Sequence, residues 1–386
     1  MNKKKSCSCP ESPITLQVIQ QESNCCSAVK DIPVIIPRLD QPFVTGSIQT
    51  SIGNLPQVSP QLTSQDHWGA VKARWGKGRM DYMVDPGLYA LGNPGNNSPV
   101  LVTANYKMSF DYLRRELPGR TAWILVLDTK GINVWCAAGK GTFGTVELIK
   151  RIESSGLKKI VSHKNLILPQ LGAPGVAAHQ VKQASGFKVH YGPIRAKDLP
   201  AYLDSGMKTT PAMREITFPL KDRVVLIPIE FLAAVKPYFI VAAVFFLLSG
   251  IGGPAGFWTN ILNYGLFAVF ALFCAILGGA VLNPLLLPYL PGRAFAAKGF
   301  FLGFLITLIL LYVRSVNLQT WTGRIETLAW LLIVPAISAY LAMNFTGCST
   351  YTSLSGVKKE MRWALPAEIA AGACGLAIWI TSLIIA

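Results

Sequence analysis

Charge is what this chain lacks over long stretches. No Asp, Glu, Lys or Arg occurs between Pro237 and Gly292, and charge-free runs also cover Gly299 to Val313, Thr327 to Val357 and Ile369 to Ala386. Residues 231–386 hold 8 of the chain's 36 Lys and Arg and 3 of its 20 Asp and Glu. Depletion on this scale argues against a water-exposed second half and points to one that lives in lipid. Histidine is scarce too. His67, His163, His179 and His190 are the only four, and none stands at metal-ligand spacing from another ligand; His179, on an amphipathic pattern, is expected at the surface. The 8 cysteines include no Cys-x-x-Cys pair, which removes the usual zinc and dithiol signatures. Met1-Asn-Lys-Lys-Lys5 has the charge of a signal-peptide start, but no apolar region follows it. No internal repeat is present.

Crossing the hydrocarbon takes about 20 predominantly apolar residues. Five runs meet this, near 235–252, 261–283, 295–313, 325–344 and 366–386, with Lys298 snorkelling near the end of the third. The basic residues of the short loops set the orientation. Lys221, Arg223 and Lys236 precede the first span, Arg293 and Lys298 lie between the second and third, and Lys358, Lys359 and Arg362 lie between the fourth and fifth. Only the 314–324 loop, with Arg314 and Arg324, opposes them. The N-terminal half and the 345–365 loop are therefore expected in the cytoplasm, with the C-terminus outside an inner membrane.

Ser, Gln, Pro and Asn dominate residues 1–65, a composition that predicts a poorly ordered extension. Its Cys7, Cys9 and Cys25-Cys26 are either reactive tail thiols or soft ligands for a soft metal. The remaining cysteines fit a reducing cytoplasm, since Cys136 has no nearby partner and Cys274, Cys348 and Cys374 fall in or beside spans. Residues 66–220 alternate strand and helix patterns, 221–234 read as a linker, and 235–386 as an all-α membrane domain. The strand candidates are Pro99–Thr103, Trp123–Leu127, Lys159–Val161, Leu166–Leu168 and Lys188–Tyr191. The helix candidates are Phe110–Glu116, Thr145–Ser155 with Gly156 as its C-cap, Gly175–Ser185 and Ala196–Asp204. This alternation predicts a Rossmann-like α/β sandwich with a mainly parallel sheet, whose ligands bind beyond the carboxyl ends of the strands.

Cys136 falls at that end. It belongs to Asn133-Val-Trp-Cys-Ala-Ala-Gly-Lys140, between the strand-like run Trp123–Asp128 and the helix-like run Thr145–Ile152. Trp135 beside it is either a wall for a flat ligand or a core aromatic. Ala137, Ala138 and Gly139 remove bulk near the sulfur, so a planar macrocycle has room to approach. The following helix N-terminus and Lys140 favour thiolate over thiol. Gly139-Lys-Gly-Thr-Phe-Gly144 satisfies G-x-G-x-x-G, but the acidic residue expected about 20 positions on is missing. A P-loop fails as well, with valine at 134 and glycine after Lys140.

The octapeptide closely resembles the signature of the corrinoid proteins that methylate mercury, the HgcA family. Val100–Asp111, Leu166–Val176, Val189–Arg195 and Asn344–Val357 resemble that family in the same order, so the likeness covers roughly residues 66–386. It implies a corrinoid-binding domain with Cys136 as lower axial ligand of cobalt. Asn133, Val134, Trp135 and Ala137 to Lys140 would shape the cap beside the corrin. Thr103, in the stretch shared with corrinoid iron–sulfur proteins, would be a further cofactor contact, unless it only bonds the strand-end backbone. No D-x-H-x-x-G pattern supplies a histidine ligand in place of sulfur. The resemblance also implies a two-cluster [4Fe–4S] ferredoxin partner of HgcB type, a methyl-folate-dependent methyltransferase as methyl donor, Hg(II) as acceptor and the bilayer as anchor. No nucleic-acid partner is expected.

The ligand fits the chemistry. Hg(II) is an electrophile and needs the methyl group with its bonding electrons, or as a radical, and a thiolate pushes electron density through the metal. One competing expectation is a membrane-anchored corrinoid methyl carrier of one-carbon (acetyl-CoA pathway) metabolism. The other is a transporter or metal-sensing membrane protein, against which stands the rarity of ionisable residues in the spans.

Overall fold

The computed structural model describes residues 33–252, 255–348 and 354–385. Cys7, Cys9, Cys25 and Cys26, and residues 349–353 of the polar Asn344–Val357 stretch, lie outside them.

A seven-stranded sheet forms the centre of the N-terminal half, in the order β1-β2-β3-β5-β4-β6-β7. Its strands are β1 Val44–Thr50, β2 Gly53–Val58, β3 Gly87–Leu91, β4 Val100–Ala104, β5 Ala122–Leu127, β6 Asn165–Leu168 and β7 Lys188–Tyr191. β5, β4, β6 and β7 run parallel, β3 runs antiparallel to β5, and β1–β2 form an antiparallel hairpin at the edge. The helices are α1 Ser64–Arg74, α2 Lys107–Arg115, α3 Val134–Lys140, α4 Thr145–Ser154, α5 Ala178–Ser185 and α6 Leu199–Asp204.

Strand periodicity sorts the core into two layers. Val100, Val102, Trp123, Leu125 and Leu127 pack with Leu148 and Ile152 of α4 and Val181 of α5. Leu101, Ile124 and Val126 pack with Phe110 of α2 and with Leu199 and Tyr202 of α6. The chain thus leaves β4 on one face and β5 on the other, so that the connections diverge at the carboxyl ends of these paired strands. That divergence opens the crevice in which open α/β sheets bind ligands.

The predicted mixed α/β architecture is borne out, with local corrections. The sheet begins at Val44, inside the stretch that composition assigned to an extension ending at 65, because β1 and β2 form a polar edge hairpin with little apolar signal. The Lys159–Val161 strand is a 3₁₀ turn over Leu157–Lys159. Gly156, left-handed at φ 62°, ends α4 and starts that turn, while Val161 is still buried.

Among the described residues, five helical segments are long and apolar enough to cross a membrane, as expected: Leu220–Leu248, Phe257–Leu286, Phe295–Arg314, Trp321–Asn344 and a last one ending at Ile385. The first comprises α7 Leu220–Val224 and α8 Ile227–Leu248. Small residues let the third and fourth close together; a Cβ on Gly303 would stand 2.6 Å from the Pro335 Cα. The segment 221–234, expected as a linker, is helical nearly throughout and fastens the two halves. Arg195 pairs with Asp222 at 2.8 Å, and the Arg223 guanidinium donates to the Pro284 and Leu285 carbonyls, each at 2.8 Å.

Candidate functional site

Beyond the carboxyl ends of β4, β6 and β7 lies a cavity of about 920 Å³, near the upper end of ligand pockets. Leu101, Thr103 and Tyr106 line it from β4 and the turn after it, Tyr112 from α2, Pro169 and Gly192 from the turns after β6 and β7, and Phe218 and Leu226 from the segment leading into the membrane. Asn133, Val134 and Trp135 close its upper side. Thr103, Asn133, Val134 and Trp135 therefore meet at one cavity.

The octapeptide is a helix of its own, not a loop before a helix. Asn133 is the N-cap of α3, its Oδ1 accepting the Cys136 N–H at 2.9 Å, and Gly141, left-handed at φ 82°, ends it. Successive side chains on a helix are turned by about 100°, so Ala137 and Ala138 point together into the core while Cys136 points away from it. Ala137 is fully buried and Ala138 is 5% exposed. Their small size lets the neighbouring chain pack closely against the helix. The 3₁₀ stretch Gln170–Gly175 lies directly against α3, and a Cβ on Gly175 would stand 2.1 Å from the Phe143 carbonyl oxygen and 3.0 Å from the Ala138 Cα. Gly139 and Lys140 are exposed. The glycines of the G-x-G-x-x-G match form the corner between α3 and α4, where a Cβ on Gly144 would stand 2.6 Å from the Gly141 carbonyl oxygen.

Cys136 is half-buried and lies one residue beyond the cavity's lining. Burial pushes its thiol above the ordinary value; Lys140, the Asn133 hydrogen bond and Arg79 pull the other way without prevailing. The expected preference for thiolate is therefore reversed in the free protein. A metal, which binds sulfur in its deprotonated form, would favour the thiolate.

Asn105, which follows β4, is a positioning residue the sequence reading missed. It is 3% exposed, and its Oδ1 accepts from Thr129 N at 3.1 Å, Thr129 Oγ1 at 2.8 Å and Gly131 N at 3.0 Å. One amide oxygen thus fixes the turn after β5, which includes Lys130 at φ 58° and Gly131 at φ 69° and delivers the chain to Asn133. The available signal was a single Asn at the end of a hydrophobic strand.

A buried ion network stands behind the cavity. Lys107 Nζ lies 2.6 Å from both Asp66 and Asp111, and Arg114 lies 2.7 Å from Asp66 and 2.8 Å from Asp111. Burial would raise the Asp66 carboxyl, but hydrogen bonds from Lys107 and the Thr63 N–H, with the charges of Lys107 and Arg114, hold it well below the usual carboxylate range. Among the described residues, no group of three or more His, Cys, Asp or Glu is arranged to hold a metal ion. His179 is exposed, as expected.

Residues 75–203 match the family model described as CO dehydrogenase/acetyl-CoA synthase delta subunit. Relatives include the acetyl-CoA decarbonylase/synthase complex subunit gamma of Methanothermobacter thermautotrophicus, 33% identical over 128 residues, covering 33% of this chain and 28% of that protein. The subunit gamma of Methanopyrus kandleri is 35% identical over 124 residues, 31% of this chain and 26% of its own length. That of Methanocaldococcus jannaschii is 39% identical over 97 residues, 25% and 20%. The chain thus spans a quarter or so of the curated relatives it matches. The family match runs from the end of α1 through α6 and includes most of the cavity and all of α3. These names speak of acetyl-CoA complexes; the mercury chemistry implied by the octapeptide has no counterpart in them.

Proposed function

We propose that the chain is a membrane-anchored corrinoid protein that takes part in methyl transfer, with its corrinoid domain on the cytoplasmic side. The observation that carries this is the convergence of Thr103, Asn133, Val134 and Trp135 on a large cavity beyond the carboxyl ends of β4, β6 and β7, within the stretch shared with the acetyl-CoA decarbonylase/synthase subunits. When bound, a corrinoid supplies cobalt and the methyl group that cobalt carries. The residues fit such a group: the cavity is large, largely apolar on its sheet side, and bordered by a helix that turns a soft sulfur away from the core.

The chain's own residues then do four things. Asn105 and Asn133 fix the backbone path into α3 and with it the backbone position of Cys136. Cys136 would hold the cobalt through its sulfur, which binds a metal as thiolate. Trp135 and Tyr106 wall the cavity with aromatic rings. Phe218, Val225 and Leu226 exclude water from the side that faces the membrane.

The acceptor has two readings. A methyl carrier of one-carbon metabolism agrees with the relatives and is the better supported. Transfer to Hg(II) is favoured by one feature, the presentation of Cys136 from an N-capped helix, since a sulfur donor suits release of the methyl group to an electrophile. A methyl-folate-dependent methyltransferase as donor and a two-cluster ferredoxin as reductant accompany this second reading. Cobalt analysis and absorbance of the purified protein test the class, and a colourless, cobalt-free protein that takes up no corrinoid overturns it. Incubating the methyl-loaded protein with Hg(II), and separately with an acetyl-CoA synthase, decides between the acceptors.

A further inference from the structure

Helix α1 is amphipathic the wrong way round for a helix that only packs on a core. Its inward side carries Asp66 and Ala73, both buried, and Gly69 against the Tyr82 ring. Its outward side carries Trp68, Val71 and Trp75, at helical spacing and 65%, 40% and 52% exposed. Met80 and Met83, 64% and 43% exposed, extend the apolar surface. From Trp68 to Met83 the chain holds Lys72, Arg74, Lys77 and Arg79 against a single carboxylate, Asp81. Lys72 and Lys77 are exposed. Exposed aromatics and methionines grouped within a cationic rim mark an interaction surface.

The surface adjoins the site. A Cβ on Gly131 would stand 2.9 Å from the Met83 Sδ and 3.1 Å from the Met80 carbonyl oxygen, so the patch rests on the turn that Asn105 fixes. The Arg79 charge reaches Cys136, and its guanidinium lies 5.9 Å from the centre of the Tyr106 ring. The anchor meets the domain through Asp222 and Arg195 after β7, three strands along the sheet from β5.

We infer that Trp68, Val71, Trp75, Met80 and Met83, with Lys72 and Lys77, form the docking face for a small acidic electron-carrier protein. The inference rests on the corrinoid reading, because a cofactor of that kind needs a reductant and the described residues arrange no metal cluster of their own. A negative partner is steered by the cationic rim, and a short apolar stripe suits the small, transient contacts of electron carriers. A bilayer also attracts tryptophan beside lysine, but the patch borders the turn beside Cys136, which a bilayer would cover.

The test uses the full chain in zwitterionic nanodiscs and, as probe, a purified acidic two-cluster bacterial ferredoxin. Binding is expected at low salt and to weaken at least tenfold when salt is raised about tenfold, as for charge-steered contacts. Trp68→Ser with Trp75→Ser should weaken it at least tenfold, and Lys72→Glu with Lys77→Glu should also remove its salt dependence. Thermal unfolding and cofactor content should stay unchanged. Hydrogen exchange over residues 64–83 should slow only when the ferredoxin is added. No binding to the wild-type chain, or equal binding by both variants, overturns the proposal. So does protection by phosphatidylglycerol nanodiscs alone, which would make the bilayer the occupant, or a dimer lost in the tryptophan variant, which would make it a second copy. Cobalt content measured on the same samples reports separately on the corrinoid reading, since the binding step can be followed with or without cofactor.

Discussion

The side-chain oxygen of Asn105 accepts the Gly131 N–H at 3.0 Å, which ties the end of β4 to the turn that launches the cysteine helix. Because the same oxygen also takes both Thr129 donors, its loss leaves buried N–H groups unpaired. Asn105→Ala should destabilise the domain by about 1–3 kcal/mol and lower cofactor retention, whereas Asn105→Asp, which keeps an acceptor there, should retain more of both. Thermal unfolding and cobalt-to-protein ratios of the three proteins check this.

Gly175 leaves no room for a side chain between Phe143 and Ala138. Gly175→Ala should push α3 off its seat at a cost of about 1–3 kcal/mol, the usual range for overpacking. Far-ultraviolet circular dichroism should be preserved while corrinoid binding falls, and unchanged binding would show that the seat of α3 is irrelevant to the site.

Cys136 yields a prediction with a sign in pH. Its thiol ionises above the ordinary value in the free protein, and a metal binds the thiolate. Corrinoid affinity should therefore rise with pH between 6 and 8, by up to about tenfold per unit, and Cys136→Ala should abolish the slope. The same variant should lose methyl transfer while remaining folded and membrane-inserted, and Cys136→His should transfer more weakly than wild type. Titrations at three pH values, with transfer assays alongside, are sufficient.

Asp66 governs acid stability. Its carboxyl ionises below the unfolded value, so its contribution is fully present above about pH 4 and disappears as pH falls through the lower folded value. Asp66→Asn should remove that acid-dependent loss and cost about 3–5 kcal/mol at neutral pH, since Lys107 and Arg114 would each lose a buried partner. Unfolding temperatures across pH 2–7 for both proteins decide it.

Much of this architecture was legible because β4, β5, β6 and β7 are apolar runs bounded by turns, and burial on both faces of the sheet requires nothing more elaborate. The membrane helices were legible for a similar reason, since a charge-free run of that length has few other uses. What escaped notice was held by contacts distant in sequence. β1 and β2 are half-exposed and show no alternation strong enough to stand out. The shortness of α3, with Gly139 and Gly141 at its end, hid a helix whose N-cap was nevertheless in plain view at Asn133. Ala137 and Ala138 were read by size alone, and only the closeness of Gly175 reveals which way they face. Asn105 escaped because nothing local distinguishes a buried bridging amide from a surface one.

Orientation in the membrane is open to a direct check. A reporter fused after Ala386 should signal the outer side and one near Lys358 the cytoplasm. An external signal at Lys358 would remove the adjoining polar stretch from any contact with the sheet domain.

The bonds from Arg223 to the Pro284 and Leu285 carbonyls have a practical consequence for handling the protein. Phe218, Val225 and Leu226 wall the cavity, and Arg223, on the short helix between them, bolts this segment to the second apolar helical segment. Trimming the chain before the first span to gain solubility would therefore take away part of the binding chamber along with the tether. A clipped domain that loses its cofactor would then be reporting a missing wall, not a mistaken cofactor.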